Sequence, residues 1–122
     1  MKKNISDKEL LKTIIEGIQE RKGKRIFCID LSKIDGVLYD YFVICEGDSN
    51  IHVSSIADSV EDYLIDKIRV KPLASDGFEN AQWIVFDYGN IMVHIFQREA
   101  RNFYSLETLW SDAKITEIPD LD

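Results

Sequence analysis

The stretch WIVFDYGNIMVHIFQREARNFYSLETLW, residues 83–110, decides the fold. Trp83, Val85 and Asp87 alternate with Ile84, Phe86 and Tyr88, and beyond Gly89-Asn90 the alternation resumes from Ile91 to Phe96. Gly and Asn tolerate the positive φ that a tight hairpin turn needs, so the spacing predicts two strands joined at Gly89-Asn90. Both faces of this hairpin carry apolar side chains. One face is expected to pack on helices, and the other cannot be wholly solvated. After Phe96 the period changes: Phe103, Leu106, Leu109 and Trp110 recur as on one face of a helix.

Working back from the hairpin, Lys71-Pro72-Leu73-Ala74 reads as a short extended segment whose proline belongs at an edge or a strand start, with a loop from Ser75 to Gln82. Val53, Ile56, Ala57, Val60, Leu64 and Ile68 make an amphipathic helix with Asp58, Glu61 and Asp62 opposite. Ile26–Leu31 and Asp40–Glu46 are apolar, β-branched runs. Their near-continuous apolarity predicts central strands covered on both faces. Ser6 with Glu9 three residues later has the form of a capping box, and Leu10, Leu11, Ile14, Ile15 and Ile18 then repeat at helical spacing until Gly23. The order α-β-β-α, hairpin, helix specifies an α+β single domain with a mixed sheet flanked by helices. This domain is expected over residues 1–113, with 114–122 as a polar, loosely held tail.

At 122 residues and 45% apolar content the chain is long enough for one core. Its formal net charge of -7 argues against a broad grip on nucleic-acid phosphates and favours a basic protein partner. Lys2, Lys3, Lys8, Lys12, Arg21, Lys22, Lys24 and Arg25 crowd the first helix and its exit, where a solvated face is the expected role. Met1-Lys2-Lys3-Asn4 is not followed by an apolar segment, so no secretory signal is read and a cytoplasmic, membrane-free protein is expected. Cys28 and Cys45 lie in apolar runs and read as buried thiols.

Candidate chemistry is sparse. Gly47-Asp48-Ser49 between a strand and a helix has the form of a phosphate-holding turn, yet the same residues serve as an ordinary turn and N-cap. Nucleotide transfer would also need several carboxylates on the following strands, which offer only Asp87. His52 and His94 have no neighbour at metal-ligand or nucleophile spacing and read as hydrogen-bonded structural histidines. Asp30, Asp35, Asp40 and Glu46 fall at strand and loop ends, where carboxylates are ordinarily solvated. No catalytic residue, cofactor or metal is expected. Large aromatics remain: Trp110 reads as core, whereas Trp83 and Tyr88, near strand ends, fit half-exposed rings at a binding hot spot.

Several motifs in one order resemble the Iojap family, the bacterial ribosomal silencing factors. They are Trp83-x-Val85-x-Asp87-x-Gly89, Val93-His94-x-Phe96, and Arg101-x-x-Tyr104-x-Leu106-Glu107-x-Leu109-Trp110. Upstream the likeness continues through Asp40-Tyr41-Phe42-Val43-Ile44, Gly47, Ser49, His52, Ile56 and Ala57, and it covers most of residues 10–113. Asp76 stands where the family usually has Glu, and Asn90 where Asp is usual. The resemblance implies a nucleotidyltransferase-like fold without the catalytic carboxylates. It also implies a noncatalytic translation repressor that binds the large ribosomal subunit through ribosomal protein L14 and sterically blocks subunit association when nutrients are scarce. Matching partner-binding residues are Trp83, Asp87, Tyr88, Gly89, Tyr104 and Glu107, with Lys71 and Pro72 bordering them. A large-subunit biogenesis factor is the nearest alternative and a nucleotide-binding enzyme a more distant one. A plain homodimerisation module is a third alternative, and the sequence leaves open whether the free protein is a homodimer.

Overall fold

The computed structural model describes residues 5–110 and 112–121. The reading of Met1–Asn4, with Lys2 and Lys3 of the basic run, lies outside them. Helix α1 (Asp7–Glu20) begins where Ser6 Oγ accepts the Glu9 N–H at 3.1 Å, the first half of the predicted capping box. Its stripe of Leu10, Ile14 and Ile18 is buried. Helix α2 (Asn50–Ile68) is capped in the same way by Ser49, whose Oγ accepts the His52 N–H. The two helices meet at Gly17: a Cβ there would lie 3.0 Å from the Val60 Cα, tighter than ordinary contacts, so any larger residue would have to push the helices slightly apart. Ser59 Oγ ties the crossing by donating to the Gly17 carbonyl at 2.8 Å.

Strands β1 (Lys24–Asp30), β2 (Tyr41–Gly47), β3 (Ala74–Asp76), β4 (Trp83–Asp87), β5 (Ile91–Gln97) and β6 (Lys114–Ile118) form one sheet of order β3-β4-β5-β2-β1-β6. β2 and β5 are parallel, from Tyr41 opposite Ile91 to Gly47 opposite Gln97, and the remaining pairs are antiparallel. The fold is therefore α+β with a mixed sheet. Gly89 takes φ +92 and the Tyr88 N–H bonds the Ile91 carbonyl, which closes the hairpin over the predicted Gly89-Asn90 turn.

Alternation along the strands divides the side chains between two cores. Ile26, Val43, Cys45, Ile84, Phe86, Val93 and Ile95 pack under α1 and α2. On the opposite face Ile29, Ile44 and Phe96 gather with Leu31, and Phe27, Phe42, Trp83, Leu106 and Trp110 lie against them. This explains why β1 and β2 read as continuous apolar runs: each is internal to the sheet and covered twice.

Three expectations need correction. The expected apolar helix after the hairpin is two short ones, α3 (Arg98–Tyr104) and α4 (Leu106–Leu109), because Ser105 adopts φ 50 and its N–H caps the Arg101 carbonyl. Leu106 and Trp110 face the second core as their spacing implied, but Phe103 and Leu109 are exposed. Ala74–Asp76, divided between an extended segment and a loop in the sequence reading, is the edge strand β3. Lys114–Ile118 is no loose tail; it pairs with β1 from Ile26 opposite Ile118 to Asp30 opposite Lys114.

Candidate functional site

The second face is covered unevenly. α3 and α4 lie over its middle, and towards the β3 edge Trp83, Val85 and Asp87 of β4 are only half-buried beside exposed Asp76. Trp83 is held by its neighbours: its ring stacks on Phe96 with centroids 4.9 Å apart and touches Tyr104 at 4.7 Å. Tyr104, 48% exposed, meets the 81% exposed Phe103 edge-on. Two shallow hollows flank this aromatic group. One is lined by Asp76, Gly77, Trp83 and Val85, the other by Gln82, Gln97, Glu99, Ala100, Phe103 and Tyr104. Exposed aromatic surface bordered by acidic and amide groups is chemically suited to holding another protein. Gly77 fixes the position of β4 here, since at φ +94 a Cβ would come within 2.0 Å of the Trp83 carbonyl oxygen.

The expected site residues divide. Trp83 and Tyr104 come together on this face. Asp87 lies along the same strand, but both its oxygens are used: Oδ2 accepts from the Tyr39 hydroxyl and Oδ1 from the Gly89 N–H, each at 2.8 Å. Gly89 stands at the hairpin tip with Leu73 beside it, and exposed Lys71 and half-buried Pro72 lead into that tip from α2. Glu107 turns inward, its Oε1 3.8 Å from Arg101 Nε. Tyr88 contradicts the expectation of a half-exposed ring. It is 8% exposed, belongs to the core under α1 and α2, and points away from Trp83 because strand side chains alternate.

The carboxylate reading also needs correction at Glu46. It is 2% exposed and sits among three guanidinium groups: Arg25 at 3.1 Å, Arg98 at 3.0 Å and Arg101 at 3.5 Å. Arg25 reaches it from a bulge in β1, at φ 48. Arg101 is fully buried over the Phe27 ring and donates to the Arg25 carbonyl. Burial pulls its pKa below the usual arginine range, against the opposing pull of Glu107. The cluster locks α3 to the ends of β1 and β2. Arg25 in the basic run and the motif residue Arg101 were visible in the sequence; that they enclose Glu46 was not.

The Gly47-Asp48-Ser49 turn is filled by the chain's own groups. The Asp48 N–H donates to His52 Nδ1 at 2.9 Å, the His52 N–H to Ser49, and the Ile51 N–H to the Asn50 side chain. His52 Nε2 in turn bonds the Arg21 carbonyl at 2.7 Å, joining the end of α1 to the start of α2. His94 accepts the Trp83 indole N–H through Nδ1 at 3.0 Å. Both histidines are therefore hydrogen-bonded within the fold, as their context implied. Cys45 is buried and Cys28 half-buried, and burial raises their thiols to about 12 and about 11. No described helix is long and apolar enough to cross a membrane.

A family model described as ribosomal silencing factor during starvation matches residues 4–122. The ribosomal silencing factor RsfS of Bacillus subtilis is 32% identical over 115 residues, which cover 93% of this chain and 95% of that protein. A crystal structure of a Chromobacterium violaceum protein superimposes with a TM-score of 0.81 at 33% identity, over 87% of each chain. A mouse protein named mitochondrial assembly of ribosomal large subunit protein 1 is 34% identical over 74 residues, 59% of this chain and 32% of its own length.

Proposed function

The chain belongs to the ribosomal silencing factor family, and from that premise we propose that it represses translation by docking on the large ribosomal subunit through ribosomal protein L14. The docked protein occupies space that the small subunit needs, so subunit joining falls when nutrients are limiting. One observation supports this reading above others: Trp83 and Tyr104 form an aromatic surface at the bared β3–β4 end of the sheet. Exposed Asp76 and Glu99 at its border complement a basic ribosomal surface. The action is steric and requires no cofactor, metal or turnover, in the cytoplasm. Engagement of the Asp48 and His52 amides by the His52 and Ser49 side chains supports a noncatalytic role.

Within this proposal Trp83 and Tyr104 are the anchors. Asp87, Gly89, Lys71, Pro72 and Glu107 shape the hairpin tip and α4 around them, and Tyr88 supports the strand from the core side. Tyr104→Ala is the direct test, because the side chain is exposed and its loss leaves the core intact. The variant should keep the parent's thermal melt and bind isolated L14 about thirtyfold more weakly, corresponding to about 2 kcal/mol for a truncated anchor. Unchanged affinity in a folded variant would remove α3 from the binding face. Assembly of the large subunit is a second reading, favoured by the name of the mouse relative; the same face would serve it.

A further inference from the structure

We propose that His94 is the positioning residue for Trp83: its Nδ1 takes up the indole N–H, so that the tryptophan is held in one orientation and offers a partner its ring and no hydrogen-bond donor. This rests on the binding face proposed above. On the antiparallel β4–β5 pair, Trp83 lies opposite Phe96 and Val85 opposite His94, so the two rings are diagonal neighbours on one side of the sheet. The indole nitrogen stands 3.0 Å from Nδ1. An indole nitrogen is a donor only, so Nδ1 must be unprotonated and the ring proton of a neutral imidazole must sit on Nε2.

His94 is 3% exposed and walled by Phe42 at 4.7 Å, Phe96 at 6.2 Å and Trp83 at 5.9 Å between ring centroids. Burial without a charged partner lowers its pKa to about 4, which keeps the ring a neutral acceptor at physiological pH. Its Nε2 is buried with no hydrogen-bond partner among the described residues. That orphaned donor is a cost to folding. A phenyl ring would fill the same aromatic site without it, so packing alone does not account for a histidine here. The gain from the imidazole is confined to Nδ1, and Nδ1 serves only Trp83. Rotation of the indole would free its N–H to water or to a partner and would move the ring relative to Tyr104 and Phe96.

The test compares the full chain with His94→Phe, Trp83→Phe and the double variant. Imidazole ¹⁵N spectra of the parent at neutral pH should show His94 as the Nε2–H form, and the Trp83 indole proton should exchange slowly with solvent. In His94→Phe that exchange should become fast while the thermal melt stays level or rises, and L14 should bind about tenfold more weakly, the loss of roughly one hydrogen bond's ordering. In the Trp83→Phe background, His94→Phe should change affinity no further. An Nδ1–H tautomer, or an indole proton that exchanges as fast in the parent as in the variant, overturns the hydrogen bond. Weakening by Trp83→Phe without weakening by His94→Phe overturns the positioning role alone. If neither Trp83→Phe nor Tyr104→Ala alters L14 binding, the face itself is wrong and the role for partner binding falls with it, while the spectra still decide the contact.

Discussion

His94 couples the second core to pH in a direction its environment fixes. An unfolded histidine titrates near 6.5 and the folded one near 4, so between these values the unfolded chain carries the extra proton. Holding the imidazole neutral costs the fold nothing above about pH 6.5, destabilises it increasingly as pH falls and reaches its full penalty below about 4, about 3 kcal/mol at order of magnitude. Denaturant unfolding at pH 7 and pH 4.5 should therefore show a larger loss for the parent than for His94→Phe. An identical loss would place the imidazole in contact with solvent. At this scale the sequence was legible where alternation governs. Trp83 and Tyr88 are five apart on one strand-turn unit and must face opposite ways, so strand parity alone assigned one of them to the helix-covered core. Which face α1 and α2 would take was not written locally, and the hot-spot reading put both rings on one surface. Glu46 was illegible for a related reason: it follows a buried run at a strand end, and its three arginine neighbours come from positions 25, 98 and 101.

The element most dependent on distant residues is α3, only seven residues long and without a side-chain N-cap. A helix this short is not stable by itself, and the Glu46 carboxylate binds two of its arginines. Glu46→Ala leaves Arg101 buried with the nearer of its two counter-charges removed, which should lower stability by about 3 to 5 kcal/mol in denaturant titration. A loss below about 1 kcal/mol would mean that Glu107 and the Phe27 ring suffice for Arg101. β4 has its own local constraint. Gly77→Ala introduces a left-handed alanine, about 1 to 2 kcal/mol, together with overpacking against the Trp83 carbonyl, about 1 to 3 kcal/mol. The melt should fall accordingly, and the Trp83 emission maximum should shift in a Trp110→Phe background. An unshifted spectrum would separate Gly77 from the placement of the indole. The helices α1 and α2 and the hairpin were readable because caps, stripes and turn residues are local signals. β6 was missed because its β-branched residues Ile115, Thr116 and Ile118 sit in a polar, exposed segment that becomes a strand only by pairing with β1. The Ser105 break was missed because apolar spacing continues across it; a left-handed serine leaves no trace in hydrophobic period.

As a whole the molecule is an acidic single sheet with one face closed by two long helices and the other closed only in part. The α+β class, the mixed sheet and the family could all be read from the chain, because the helical stripes, strand runs and motifs are spread along nearly all of it. The bared end of the second face could not, since it depends on how far two short helices extend over the sheet. The central claim, that this protein acts by occupying the large subunit, is tested most directly by sedimentation. Purified protein is incubated with separated ribosomal subunits under joining conditions and resolved on a sucrose gradient. It should travel with the large subunit and deplete the 70S peak, whereas Tyr104→Ala at equal concentration should leave that peak near its untreated height. Sedimentation with the small subunit or with intact 70S particles, or a full 70S peak in the presence of saturating parent protein, would contradict it.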